Sequence, residues 1–275
     1  MNIPIGIVEA GAVQPAPYTA TSLAEAATKE PQGVYTVGRT FRHDQVVLFE
    51  EHLNRLERSA QLEHMTLCLD RAGLRRALRS LIEQSGYVDV RFRITIPRES
   101  PQRPIITLEP FNPIPKDVLE KGVRVVTVRL RRHNPAAKTT EWMTTRKAAT
   151  DTFEPGIYEG ILVSDGGFLL EGTNSNFYAI RNHTLRTADD NAVLSGIARR
   201  ILLTVAPDIV PVVLEPVNVS EIPRLSEAML TSSSRGVVPI VEIDGQCIGD
   251  GKPGPYTLKL REAYEAWVNA HLEPI

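Results

Sequence analysis

The stretch EPFNPIPKD, residues 109–117, carries three prolines in nine residues, so it can neither continue a helix nor sit inside a central strand. It divides the chain into a domain spanning 1–112 and a larger one spanning 113–275, with the linker near 109–117. Such domains commonly run to about 100–150 residues, so a 275-residue chain has room for two cores.

On the first side of that break, two strands are predicted between 33 and 48 as a hairpin around a polar His43-Asp44-Gln45 turn. Leu53, Leu56 and Ala60 then recur at helical spacing behind the acidic pair Glu50-Glu51, which suits the positive end of a helix dipole. A second helix over about 70–84 has Asp70 as its N-cap, Leu74, Leu78 and Leu81 as its stripe, and Gly86 as its stop. Residues 88–96 alternate as a strand, with 104–108 as a partner. Both helices are expected to pack on this sheet as an α/β sandwich.

The second side is strand-rich. Residues 122–130 and the run 158–180 read as strands, the latter a meander turning at Asp165-Gly166-Gly167, and RNHTLRT closes a further hairpin. Helices are expected at 196–205, 220–226 and the terminal 255–272, where Leu258, Tyr264 and Trp267 mark an apolar face. The class is therefore α+β in two domains.

Composition narrows the function. A formal charge of −2 provides no basic excess for a phosphate backbone, so nucleic acid is not an expected partner. Cys68 and Cys247 stand alone, without the spacing of a disulfide framework or zinc knuckle. The six histidines form no H-x-x-x-H pair, so no metal site is expected. The start has no basic region followed by an apolar one, and no apolar run reaches membrane-helix length; a cytoplasmic protein is the expectation.

Only seven lysines accompany 24 arginines (31 minus 7). Lys138 stands in HNPAAKTTEW, just past a strand and a proline, between small residues that let a planar ligand approach its amine. A desolvated lysine is a nucleophile for carbonyl carbon; an ordinary loop lysine would extend to water from the same place. In EGTNSNF, Glu171 can hold a proton on a basic ring nitrogen while Asn174, Ser175 and Asn176 fix the carboxylate and the ligand; the same residues also make a plain turn. LSGIARR opens a helix near Ser195 or Gly196, with the amides of Ile197 and Ala198 at an anion-binding end. LTSSSRG adds the hydroxyls of Ser232 and Ser233, and Arg55 lies on the first helix. A capped helix, a serine-rich turn and a surface arginine are the plainer readings of these three.

In order along the chain, GVYTVGRT (33–40), HLNRLERSA (52–60), NPAAKTTEW (134–142), YEGILV and EGTNSNF (158–177), LSGIARR (194–200) and TSSSRGVVPIVEIDG (231–245) together resemble the fold-type IV pyridoxal-phosphate enzymes. That family includes branched-chain and D-amino-acid aminotransferases and aminodeoxychorismate lyase. The resemblance covers nearly the whole chain and implies a strand-rich pseudo-barrel with helices as the second domain.

It further implies that Lys138 forms the Schiff base with pyridoxal 5'-phosphate and that Glu171 pairs with the pyridine nitrogen. Arg55, Asn176, Gly196, Ile197, Ala198, Ser232 and Ser233 complete the cofactor site, the phosphate being met by arginine, helix amides and a hydroxyl. Lys147, in TTRKAAT, is the rival nucleophile. The 33 residues from Lys138 to Glu171 look like the family's spacing and leave room for a helix between Thr139 and Phe153, whereas 24 would cut it short.

Tyr35, Arg91, Arg93, Trp142 and the amide of Ser234 are the expected substrate contacts, the two arginines sharing one strand face. Trp142 stands where branched-chain enzymes carry tyrosine, Glu141 replaces a common asparagine, and Ala198 lacks the family's frequent hydroxyl. The expected reaction is amino-group exchange between an amino acid or amine and a 2-oxo acid, by a homodimer. The alternatives are a lyase releasing 4-aminobenzoate and pyruvate, and a cofactor-binding homologue without catalysis.

Overall fold

A computed structural model describes residues 1–9 and 11–275, in two compact units. The first comprises Met1–Asn112 together with two later segments, Ala137–Thr145 and His271–Ile275; the second comprises Pro113–Ala136 and Arg146–Ala270.

The first unit is built on a five-stranded antiparallel sheet of β1 (Ile5–Glu9), β2 (Ala12–Pro15), β3 (Gly33–Arg39), β5 (Val90–Pro97) and β6 (Ile105–Pro110), ordered β2-β1-β6-β5-β3. α1 (Leu23–Ala27) is a short turn capped by Ser22. α2 (Phe49–Leu62) and α3 (Arg71–Ser85) bury Leu53, Leu56 and Ala60, and Leu74, Leu78 and Leu81, with Val34, Phe92, Ile94 and Ile106 of the sheet in one core. α3 starts and stops where the sequence predicts. Asp70 accepts from the Gly73 amide at 2.8 Å, and Gly86 is left-handed at φ 68°.

The predicted hairpin over 33–48 is corrected. Phe41 and Gln45 form only an isolated bridge, while β4 (Gln45–Val47) pairs with the terminal strand β16 (Leu272–Pro274). The reason is that Thr40 stays with β5: its amide donates to the Val90 carbonyl and its hydroxyl accepts from the Val90 amide, both at 2.9 Å.

A second difference concerns Lys138. A domain running unbroken from 113 to 275 would contain it, yet Ala137–Thr145 belongs to the first unit. The backbone explains this: Tyr35 N–H donates to the Lys138 carbonyl at 3.0 Å, Val34 and Thr139 form a bridge, and the Gly33 amide donates to Thr140 Oγ1 at 2.8 Å.

The second unit contains α4 (Lys116–Lys121), β7 (Val123–Val128), β8 (Ile157–Val163), β9 (Leu169–Gly172), β10 (Asn176–Arg181), β11 (Thr184–Arg186), α6 (Ile197–Val205), β12 (Val212–Val213), β13 (Glu227–Ser232), β14 (Gly236–Ile243), β15 (Gln246–Cys247) and α7 (Pro255–Ala270). α5 (Thr140–Thr150) begins in the first unit and ends in the second. The sheet runs β12-β11-β10-β13-β14-β7-β8-β9, and β9 pairs again with β10 through Glu171 and Asn176. That pairing closes six strands on themselves as a pseudo-barrel, which removes the sheet edge at β9. Its interior holds Val125, Ile161, Leu169, Phe177, Leu230 and Val238 among others.

The expected face of the last helix is corrected. Leu260, Tyr264 and Val268 are buried at i, i+4, i+8, whereas Leu258 is 40% exposed. The helix packs on α6, β13 and β14, and Leu258 lies about 200° around the axis from Leu260 at 100° per residue. Among the described residues, no helix is long and apolar enough to cross a membrane.

Candidate functional site

In the first unit, strand β3 and helix α2 clamp the backbone of Lys138 from two sides. Its carbonyl accepts from Tyr35, and its own N–H donates to Ser59 Oγ at 3.1 Å. The side chain lies over the Tyr35 ring, with Nζ 4.8 Å from the centroid. Tyr35, expected to touch substrate, is 2% exposed and sits at this amine. Trp142, in the first turn of α5, is also buried.

Lys147 has the opposite surroundings. It is exposed on α5 and ion-paired to Asp151 at 2.5 Å, the usual arrangement of a solvated helix lysine.

Arg55 is buried on α2, three residues after His52, and donates to Thr36 Oγ1 on β3. Burial first, then the Arg55 and Lys138 cations, hold the His52 imidazole well below its ordinary value near 6.5. Folding therefore keeps His52 neutral, while the unfolded chain takes up a proton below pH 6.5. The unfolded state binds more protons there, so stability rises with pH below about 6.5 and falls as acid is added. Urea unfolding between pH 5 and 8 should show up to about 1.4 kcal/mol lost per pH unit from this group, a slope that His52→Phe removes.

Arg91 and Arg93, the expected substrate ligands, each face a carboxylate of this chain. Arg93 is 3% exposed and pairs with Glu30, its Nη2 2.5 Å from Oε1, while Nη1 donates to the Leu23 carbonyl at 2.9 Å. Glu30 is further held by the Thr95 and Thr107 hydroxyls at 2.6 and 2.8 Å. Arg91 pairs across the strands with Glu109 at 3.0 Å.

In the second unit, Glu171 ends β9 at the barrel closure and is 2% exposed. One oxygen accepts from Arg132 Nη1 at 2.6 Å and the other from the Leu194 amide at 3.1 Å. The arginine sets an opposite charge against this buried carboxylate. Arg132, six residues before Lys138, escaped the sequence reading; its only signal is the basic run RLRR ahead of the proline.

Asn174 and Ser175 do not serve Glu171. The Asn174 amide and the Ser175 hydroxyl donate at 2.6 and 2.7 Å to Glu159 on β8, whose other oxygen accepts from Arg235 at 2.8 Å. The cause is β8–β9 pairing, which continues through the Thr173 amide to the Gly160 carbonyl and lays the 173–175 turn across Glu159. Asn176 donates to the Leu194 carbonyl at 2.8 Å and so braces the loop ahead of α6.

α6 begins at Ile197 behind Gly196, which makes no side-chain cap, leaving the first-turn amides to other acceptors. Arg199, 1% exposed, ties this helix to Asp190, Thr187 and the Ala188 carbonyl. A Cβ on Gly196 would stand 2.2 Å from Asn176 Oδ1. Gly196→Ala should thus destabilise the protein by about 1–3 kcal/mol and weaken anion binding at α6, both readable by thermal melting with and without inorganic phosphate. An unchanged midpoint would show that Asn176 yields freely.

Ser232 ends β13 opposite Gly236, and Ser233 and Ser234 lie in the half-buried turn to β14. Ser232 Oγ accepts from Arg235 Nε at 2.9 Å, so Ser232 fixes the turn. Among the described residues, no group of three or more His, Cys, Asp or Glu is arranged to hold a metal ion.

The family model that matches residues 33–243 is amino-transferase class IV. The chain belongs to this family. The "Putative branched-chain-amino-acid aminotransferase" of Methanocaldococcus jannaschii is 27% identical to this aminotransferase over 241 residues, covering 80% of this chain and 82% of that one. A Thermotoga maritima structure described in the same terms superimposes with a TM-score of 0.80 at 27% identity, covering 96% of each chain. The branched-chain aminotransferase of the archaeon Thermoproteus uzoniensis, solved with norvaline, gives a TM-score of 0.81 at 22% identity over 100% of this chain and 99% of that one, a likeness of fold. The aminotransferase is thus an enzyme, a transaminase of class IV.

Proposed function

We propose that this transaminase uses pyridoxal 5'-phosphate to exchange an amino group between an amino acid and a 2-oxo acid, with Lys138 as the lysine that joins the cofactor. The observation that carries the reading is the setting of Lys138: its backbone is clamped by Tyr35 and Ser59 and its amine lies over an aromatic ring, whereas Lys147 is a surface ion pair.

The donors within each unit suit parts of the cofactor. Glu171, paired with Arg132, is suited to hold a proton on the pyridine nitrogen; in the first unit Arg55, and in the second the Ile197 and Ala198 amides and Ser233, are each of a kind that suits a phosphate dianion. The cofactor supplies, when bound, an aldehyde that takes up the amino group and a ring that accepts electrons freed at the substrate Cα. Lys138 is the residue that removes and returns the Cα proton, and its Nζ needs its neutral form to do so. Tyr35 limits where that amine can point. Trp142 and the Ser234 amide are the remaining substrate-facing candidates, and a homodimer is the expected assembly, which sedimentation equilibrium checks.

Absorption spectra of the purified protein, before and after L-amino acids, D-amino acids and amines, test this reading. A visible cofactor band that shifts to the amine form with one donor class supports it and names the class. No band after added pyridoxal phosphate overturns it.

A further inference from the structure

Arg55 is held by a chain of two buried side chains. Its Nη2 lies 2.8 Å from Thr36 Oγ1, which in turn lies 2.8 Å from His52 Nδ1. Thr36 is 0%, His52 3% and Arg55 8% exposed. A guanidinium can only donate, so the threonine oxygen accepts from Arg55. The hydroxyl has one proton of its own, and His52 Nδ1 is the side-chain acceptor facing it. With the imidazole proton on Nε2, Nδ1 accepts the hydroxyl proton and ends the chain. His52 and Arg55 stand at i and i+3 on one face of α2, so the threonine on β3 meets both.

We propose that His52 and Thr36 are positioning residues for the phosphate-binding arginine: His52 fixes the Thr36 hydroxyl, and Thr36 fixes the rotation of the Arg55 fork. The inference rests on the reading of Arg55 as a phosphate ligand. It depends on His52 remaining an acceptor, and the burial and neighbouring cations that hold the ring neutral provide for that. Without the chain, the guanidinium of Arg55 keeps its charge but loses the contact that directs Nη2, and part of its ordering then falls to phosphate binding.

The alternative role for His52 is packing, since its ring lies 6.4 Å from that of Phe92. Two substitutions separate the roles. His52→Asn puts an amide oxygen near the Nδ1 position but removes the ring, whereas His52→Phe keeps a ring and removes the acceptor. The readout is the ratio of dissociation constants for pyridoxal and pyridoxal 5'-phosphate, titrated by absorbance into the full-length protein freed of cofactor. This ratio reports the phosphate contribution alone.

We expect His52→Phe and Thr36→Val to lower the ratio by about tenfold, in line with one hydrogen bond to a charged group, and His52→Asn to retain most of it. Arg55→Leu should lower it further. If Arg55→Leu leaves the ratio unchanged, Arg55 is not the phosphate ligand, and both the reading and the inference fall. If Arg55→Leu lowers it but Thr36→Val and His52→Phe do not, the inference alone is overturned. A loss with Asn and retention with Phe assigns His52 to packing and overturns it as well. Should His52→Phe not fold, Thr36→Val and His52→Asn decide by the same ratio.

Discussion

Lys138→Ala is expected to abolish transamination, with a loss of at least about 10⁴-fold in turnover, while Lys147→Ala leaves turnover within about twofold. The two lysines lie nine residues apart in similar local sequence, but only Lys138 has its backbone tied to β3 and α2. The Lys147 amine faces Asp151 at the surface, where a single helix ion pair is worth about 0.3–0.5 kcal/mol. Single-turnover absorbance with one amino acid checks both variants, and melting curves establish that each is folded. Activity retained by Lys138→Ala and lost by Lys147→Ala would reverse the assignment.

Arg93→Met is expected to lower stability by about 3–5 kcal/mol, the usual consequence of removing one partner from a buried ion pair. Glu30 would be left with its carboxylate fully buried and only the Thr95 and Thr107 hydroxyls to meet it. Arg93→Met with Glu30→Gln should recover part of the loss, because no uncompensated charge then remains. Urea titration measures this directly. An unchanged unfolding midpoint together with a raised KM would return Arg93 to the substrate.

The same arginine shows why some side-chain roles escape a reading by motif. Arg91 and Arg93 alternate correctly onto one strand face, which is a local property of β5. Whether that face meets a substrate or a carboxylate depends on Glu30, 63 residues away, and Glu109, 18 residues away. Likewise, Glu159 and Arg235 are 76 residues apart, and Asn174 and Ser175 serve Glu159 only because β8 and β9 pair. Leu258 and Leu260 are equally apolar in sequence, and the elements α7 packs against decide which is buried.

The local signals that held were those with a short-range physical cause. Asp70 caps α3 because its carboxylate reaches an amide three residues on, and Gly86 ends the helix because glycine adopts the left-handed conformation freely. The α2 and α3 stripes followed from 3.6-residue periodicity, and the meander over 158–180 from alternation and a glycine turn. The amino-acid sequence by itself determined the longer helices, most strands and the family to which the chain belongs. Tertiary structure alone decided that Ala137–Thr145 joins the first unit, that β9 closes on β10 and that Arg132 faces Glu171. The difference is one of range: propensity and capping act within a few residues, whereas charge partners and strand order depend on which distant segments burial brings together.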